Sequence, residues 1–425
     1  MRVVVCHNFY QQAGGEDRVF TDETTLLRAH GHHVVMFTQH NDAVAGMPAW
    51  SLAARTIWNR KAARQLESIV REHQAEIVHF HNTLPLISPA AYYAARRAGA
   101  AVVQTLHNYR LLCPRATLYR DDAPCERCVG KPIPWPAVRH ACYRGSRPAS
   151  LAITAMLALH RGLGTYHHMV DAYIALSQFA RDKLIAGGLP AGKIHLRPNF
   201  ILDDPDAGSG SGRYALYLGR LAPEKGVATL LEAWQRHDPG VPLVICGKGP
   251  LEPLVEQAVA RCDRIVWIAG CSHDEAMHRL AEALLLVLPS AWYEACPKTI
   301  LEAYSKGTPV VASRLGSLAE LVQEDITGAC FVPGNAADLA STVRRLCRDS
   351  DALLRMRANA RRQFETKYSQ WVSYQRLLEI YDSALRVRHG LAEPRALATE
   401  DILPATDEKL MDIHSDGQRT EVYSL

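Results

Sequence analysis

Two short stretches of the 425-residue sequence gather groups that could hold a polyanion and a polyhydroxylated ligand. In YLGRLAPEKGVATLLEAW, residues 217–234, an apolar run ends at Gly219 and is followed by Arg220 and, five residues later, Lys225. Glycines flank both cations. At the carboxyl end of a strand, where open α/β sheets receive ligands, two fixed positive charges suit a pyrophosphate whose charge grows as it departs. The second stretch, LLLVLPSAWYEACPKTILEAYSKGTPVVAS, residues 284–313, reads strand, loop, helix, strand. Pro297 suits the first helical position, and a helix from Lys298 to Lys306 would turn its free backbone N–H groups towards an anion such as a diphosphate. Glu294 precedes that helix and Glu302 lies inside it, so two carboxylates can accept hydrogen bonds from hydroxyls at two places on one ligand, such as a sugar ring and a ribose. The plainer alternative has Glu294 capping the helix and Glu302 on a solvated face.

Weaker signals lie elsewhere. Gly14 and Gly15 follow the first apolar run and precede a helix opening at Glu16; such a pair is ordinarily a turn, but it lets backbone approach a phosphate or an acceptor. His107 ends a strand in TLHN, where a histidine is ordinarily a polar cap. After it comes a proline- and cysteine-rich insertion, residues 109–147, holding Cys113, Cys125, Cys128 and Cys142. Four cysteines in a segment with little capacity for its own core point to a structural zinc, with His140 able to replace a ligand and free thiols as the alternative. Residues 50–73 carry Arg55, Arg60, Lys61 and Arg64 beside Trp50 and Trp58, a basic amphipathic pattern that fits an anionic membrane surface or simply a solvated face.

The elements that must position these residues alternate between β-branched runs and amphipathic stretches, the pattern of βα units and parallel sheets. Strands are expected at 2–6, 33–37, 76–80, 101–106 and 172–176, then at 214–218, 243–246, 265–268, 284–288, 310–312 and 330–332. Helices are expected at 16–30, 52–73, 89–98 and 151–169 in the first half. Between the halves, DDPDAGSGSG at 203–212 reads as a flexible linker. The expected organisation is an amino-terminal Rossmann-like domain at 1–202, a second at 213–369, a helix at 370–387 returning to the first, and a disordered tail at 388–425. Two such halves imply facing sheets with a ligand cleft.

Composition narrows the classes. A hydrophobic share of 48% supports two or three cores, and a formal charge of +4 with 22% charged residues is too mild for a nucleic-acid partner. MRVVVCHNFY is too short in its apolar run for a signal h-region, and no uninterrupted run of about 18 apolar residues suggests a membrane span. With eleven cysteines and no export signal, reduced thiols or metal ligands in the cytoplasm are expected, at the inner face of the membrane if the basic stretch binds there.

RLAPEKG and the two-glutamate segment resemble the diphosphate and paired-glutamate motifs of family 4 of the retaining glycosyltransferases, over about residues 2–385. That resemblance implies the two-domain GT-B fold. It also implies that Arg220 and Lys225 bind the diphosphate of a UDP- or GDP-sugar, that Glu294 holds a donor-sugar hydroxyl, and that Glu302 holds the ribose. LVICGKGP at 243–250, with Gly247, lies beside the base site by the same resemblance; Pro297, Lys298 and Thr299 complete the donor loop. A glycine-rich loop matches Gly14 and Gly15, and the family's histidine by the transferred sugar matches His107. RPNF at 197–200 and GSLAELV at 316–322 also match. One departure is that Ala295 and Cys296 stand where the family has Gly-Phe. The implied activity is metal-independent, retaining transfer to a saccharide or lipid-linked acceptor in cell-surface polysaccharide synthesis, with no catalytic cofactor. A GT-B epimerase, a phosphorylase or a non-catalytic partner subunit would share the architecture.

Overall fold

The computed structural model describes residues 1–12, 14–391 and 422–424. The chain forms two compact units, one of Met1–Thr105, Leu159–Ile174 and Tyr374–Leu425, the other of Leu106–Ala158 and Ala175–Ser373. In this grouping residues 203–212 and the cysteine-rich insertion both lie within the second unit.

In the first unit β1 (Arg2–Phe9), β2 (His33–His40), β3 (Ile77–Phe80), β4 (Ala101–Leu106) and β5 (Ala172–Ala175) lie in the order β2-β1-β3-β4-β5. β1 pairs in parallel with β2 and β3, and β3 with β4. Every residue of β3, β4 and β5 is buried, as a parallel sheet covered on both faces requires. Helix α1 (Gly15–Ala29) supplies Val19, Phe20, Leu26 and Leu27 to this core. β1 outruns its expected end because its polar tip is satisfied inside: His7 Nε2 meets Asp17 Oδ1 at 2.7 Å and Asn8 donates to Asn41 Oδ1 at 2.8 Å. Deeper still, Glu23 on α1 takes His79 Nδ1 at 2.8 Å and His81 Nε2 at 3.1 Å. His79 also lies 2.8 Å from Tyr381 Oη on helix Gln370–His389. Burial pushes His81 down to about 4 despite the Glu23 carboxylate.

The single helix expected over 52–73 is two, Ala49–Trp58 and Arg60–Glu72. Asn59 separates them and caps the second, accepting from the N–H groups of Lys61 and Ala62. Trp58 stacks on His160 at 5.3 Å, so only Trp50, 76% exposed, remains as an outward tryptophan of this pattern. The helix expected at 151–169 is likewise two, Arg147–Gly162 and Thr165–His168.

The second unit holds β6 (Ala215–Leu218), β7 (Leu243–Cys246), β8 (Ile265–Ile268), β9 (Leu285–Leu288), β10 (Val310–Ser313) and β11 (Gly328–Phe331). All pair in parallel, in the order β8-β7-β6-β9-β10-β11. Its core joins Tyr217, Ile245, Leu285, Val287 and Phe331 of the sheet to Leu230, Leu339 and Val343 of flanking helices.

Residues 203–212 are not a loose tether. Gly208, Gly210 and Gly212 donate backbone hydrogen bonds to the carbonyls of Lys306, Ala281 and Glu282, and Arg357 and Arg361 bond the carbonyls of Gly208 and Pro205. A Cβ at Gly208 would come within 2.1 Å of the Ala281 carbonyl oxygen, so glycine here permits close packing rather than looseness. Of the tail expected at 388–425, Arg388 and His389 complete helix Gln370–His389, and Val422–Ser424 pair in parallel with β2. The rest of that stretch beyond Leu391 lies outside the described residues.

Candidate functional site

In the six-stranded sheet the first and fourth strands, β6 and β9, lie side by side, and the order runs outwards from them in both directions. That is the topological switch point, where loops leaving the carboxyl ends part and ligands bind. The two stretches singled out by sequence are those two loops. The Ala291 N–H donates to the Glu224 carbonyl at 2.9 Å and fastens them together.

Lys225 Nζ thereby meets Glu294 Oε1 at 2.6 Å. The same oxygen accepts from Ser290 Oγ and from Trp292 Nε1, each at 2.9 Å. Lys225 Nζ also lies 5.1 Å from the Trp292 ring centroid. Glu294 is buried and Lys225 partly exposed, so the carboxylate is held by three donors while the ammonium keeps protons for a further partner. Arg220 is exposed; its carbonyl accepts from Tyr217 Oη at 2.8 Å, and the next N–H, of Leu221, bonds the Lys248 carbonyl. Gly247 sits where a Cβ would fall 1.9 Å from the Gly219 carbonyl oxygen, so only glycine lets the loops after β6 and β7 approach this closely.

Helix α2 (Lys298–Ser305) opens at Lys298 as expected, but Pro297 is its N-cap rather than its first residue, with no side-chain cap, and Glu294 does not fill that role. Lys298 and Thr299 open the helix, and Glu302 is partly buried one turn in. Before it, Ala295 is partly buried, and buried Cys296 gives its carbonyl to Asn199 Nδ2 at 2.7 Å. Burial pushes the Cys296 thiol up to about 12, which leaves it protonated and unreactive.

His107, just past β4, groups with the second unit. Two residues on, buried Tyr109 donates from Oη to the Glu294 carbonyl at 3.4 Å, and Ser317 Oγ donates to the same carbonyl at 2.7 Å. Burial and the Glu294 charge push the Tyr109 phenol well above its ordinary range, keeping it a neutral donor. Gly14 and Gly15 belong to the first unit, exposed at the start of α1, where the Gly14 N–H donates to Asp17 Oδ2 at 2.8 Å. Cys113, Cys125, Cys128 and Cys142 line one small hollow in the second unit. Ser290, Trp292, Tyr109 and Ser317 escaped sequence reasoning as site residues; the first two sit within four positions of Glu294, which was the only available signal.

A parallel sheet of Rossmann order with cations, a clamped carboxylate and an open helix start at its switch point is an α/β arrangement whose chemistry suits a polar, anionic ligand. Two family models match, glycosyl transferases group 1 over residues 204–363 and glycosyltransferase family 4 over residues 13–204. The α-D-kanosaminyltransferase of Streptomyces kanamyceticus is 30% identical over 298 residues, covering 68% of this chain and 72% of the relative. The glycogen synthase of Mycobacterium tuberculosis is 36% identical over 198 residues, 44% of this chain and 47% of that enzyme. Among solved structures, HepE of Anabaena in complex with UDP aligns with a TM-score of 0.65 at 18% identity, covering 90% of this chain and all of the other. Sucrose-phosphate synthase of Thermosynechococcus elongatus gives 0.65 at 17% identity, covering 90% and 98%. The chain belongs to the group 1 glycosyltransferases and has the GT-B fold of two Rossmann-like domains.

Proposed function

We propose that this glycosyltransferase takes a UDP- or GDP-sugar as donor and transfers the sugar, with retention and without a catalytic metal, to a saccharide or lipid-linked acceptor in cell-surface polysaccharide synthesis. The observation that carries the donor reading is the contact of Lys225 with Glu294 at the switch point, beside an uncapped helix start. Among the described residues all three donors to Glu294 converge on Oε1, so Oε2 is the atom to accept a hydroxyl of the transferred sugar. A carboxylate engaged in this way is a holding group rather than the base of a hydrolase pair. The protons left on Lys225, the Arg220 guanidinium and the N–H groups opening α2 would take up charge on the departing diphosphate, which supplies leaving-group stabilisation from the protein itself. Glu302 would hold the ribose, Gly247 would lie beside the base, and Gly14, Gly15 and His107 would serve the phosphate and the transferred sugar. HepE was solved with UDP and with UDP-glucose, which supports a nucleotide-sugar donor.

For the acceptor, a relative named as an amylovoran biosynthesis glycosyltransferase, 30% identical over half of this chain, favours polysaccharide synthesis. Among the described residues no helix is long and apolar enough to cross a membrane. A lipid-linked acceptor would instead be met at the inner membrane face by exposed Trp50 with Arg60, Lys61 and Arg64.

Calorimetry with UDP and GDP alone separates the two glutamates. Glu302→Gln should weaken nucleotide binding about tenfold, because a ribose contact is present in every nucleotide complex. Glu294→Gln should leave nucleotide affinity unchanged and lower turnover instead. The reverse result would overturn both assignments.

A further inference from the structure

Cys113, Cys125, Cys128 and Cys142 come from three stretches of chain and line one hollow with Arg115, Arg120 and Arg127; all four are free thiols. We propose that this hollow is a structural zinc site in which the four Sγ atoms, which do not all lie within 4.8 Å of one another, would be drawn together on one Zn²⁺.

The chain around the hollow is poor in regular structure. Between Leu106 and Arg147 it has two paired two-residue strands, Tyr119–Arg120 and Ala123–Pro124, and the four-residue helix Pro136–Arg139. Of the ten non-glycine residues with positive φ among the described residues, six are here: Ala116, Leu118, Asp121, Asp122, Ala141 and Arg144. The left-handed region is unfavourable for Ala116, Leu118, Ala141 and Arg144 above all, so something other than backbone pairing must hold the segment in shape. A tetrahedral thiolate site does this in small loop-rich modules, since metal binding there is folding free energy.

The charges agree. Four thiolates around one divalent cation leave two uncompensated negative charges, and three guanidinium-bearing residues line the same hollow. His140 also lines the hollow, but it is exposed, whereas Cys113 and Cys128 are buried.

The site has a definite place in the enzyme. Within the C-x-x-C turn, Glu126 accepts from Tyr293 Oη at 3.0 Å and pairs with Lys183 at 2.6 Å. Tyr293 adjoins Glu294. The metal would thus fix the knuckle that braces the loop carrying the clamped carboxylate; this positioning role rests on the proposed donor site, while the metal assignment does not.

The test uses the full chain purified under reducing conditions with zinc supplied. Elemental analysis should give about one zinc per chain. Replacement by Co²⁺ should give the intense visible bands and sulfur-to-metal charge transfer of a tetrahedral thiolate site. Chelation should lower the melting temperature, and added zinc should restore it. Cys125→Ser with Cys128→Ser should abolish the metal, while Cys262→Ser and His140→Ala should retain it. Protein that holds no zinc and melts identically with and without chelator overturns the proposal, and this wild-type comparison stands even if a serine variant fails to fold. Zinc retained by the Cys125, Cys128 double variant, or lost in His140→Ala, overturns the four-sulfur ligand set. Since no readout uses a nucleotide sugar, failure here is distinct from failure of the donor reading.

Discussion

Glu294 is clamped by three different kinds of donor on one oxygen: an ammonium, a hydroxyl and an indole N–H. Such convergence fixes the carboxylate plane, which fixes where its other oxygen can meet a ligand. The loop backbone is fixed from the opposite side by Tyr109 and Ser317 on the Glu294 carbonyl. At the departure from the usual family residues, Cys296 contributes its carbonyl to Asn199 rather than a side chain to a ligand. The indole bond is the cleanest part of the clamp to remove, since Trp292 is only partly buried. Trp292→Phe keeps an aromatic face towards Lys225 but deletes the N–H. Hydrogen bonds to charged groups contribute about 1.5–3 kcal/mol, so turnover should fall about tenfold or more with the thermal melt nearly unchanged. Steady-state kinetics beside a melting curve checks this, and wild-type turnover in the variant would show that the clamp does not matter to transfer.

At the level of elements, the strands were legible because parallel strands buried on both faces read as short apolar runs: β4 and β7 lie at their expected limits, and so does the edge strand β8, although only Ile265 of it is buried. The meeting of Lys225 with Glu294 was legible because each stands in the loop that follows such a run. Polar burial was not. The Glu23, His79 and His81 cluster joins residues far apart in sequence, and nothing local distinguishes an interior histidine from a surface one. Asn59 split a helix that hydropathy alone carries through, and the packing of Gly208 against Ala281 turned a linker composition into a fixed strap. The buried cluster has a consequence for pH. His81 binds its proton near pH 4 in the folded chain but near 6.5 unfolded, so between those values the unfolded state holds more protons. Stability from this group is complete above about pH 6.5 and is lost as pH falls towards 4. Melting curves across that range should fall more steeply for the wild type than for His81→Asn; parallel curves would exclude His81 as the cause.

For the whole molecule, the chain leaves the first unit at residue 106, returns for Leu159–Ile174, and ends there after Ser373. The second unit by itself contains every residue of the proposed donor site except Gly14 and Gly15, together with the cysteine-lined hollow proposed as a zinc site. That concentration makes the donor chemistry testable through one exposed side chain. Arg220 offers the most direct measurement, because its side chain is exposed and its removal spares the buried clamp. Purified wild type and Arg220→Ala are incubated with a panel of UDP- and GDP-sugars, with and without membrane extract as acceptor, and release of UDP or GDP is followed. The expected result is that at least one donor is consumed by the wild type and that Arg220→Ala consumes it about 10²-fold more slowly with an unchanged melting temperature. Equal rates for the two proteins, or a wild type that consumes no nucleotide sugar under any of these conditions, would contradict a donor site at the switch point of the second sheet.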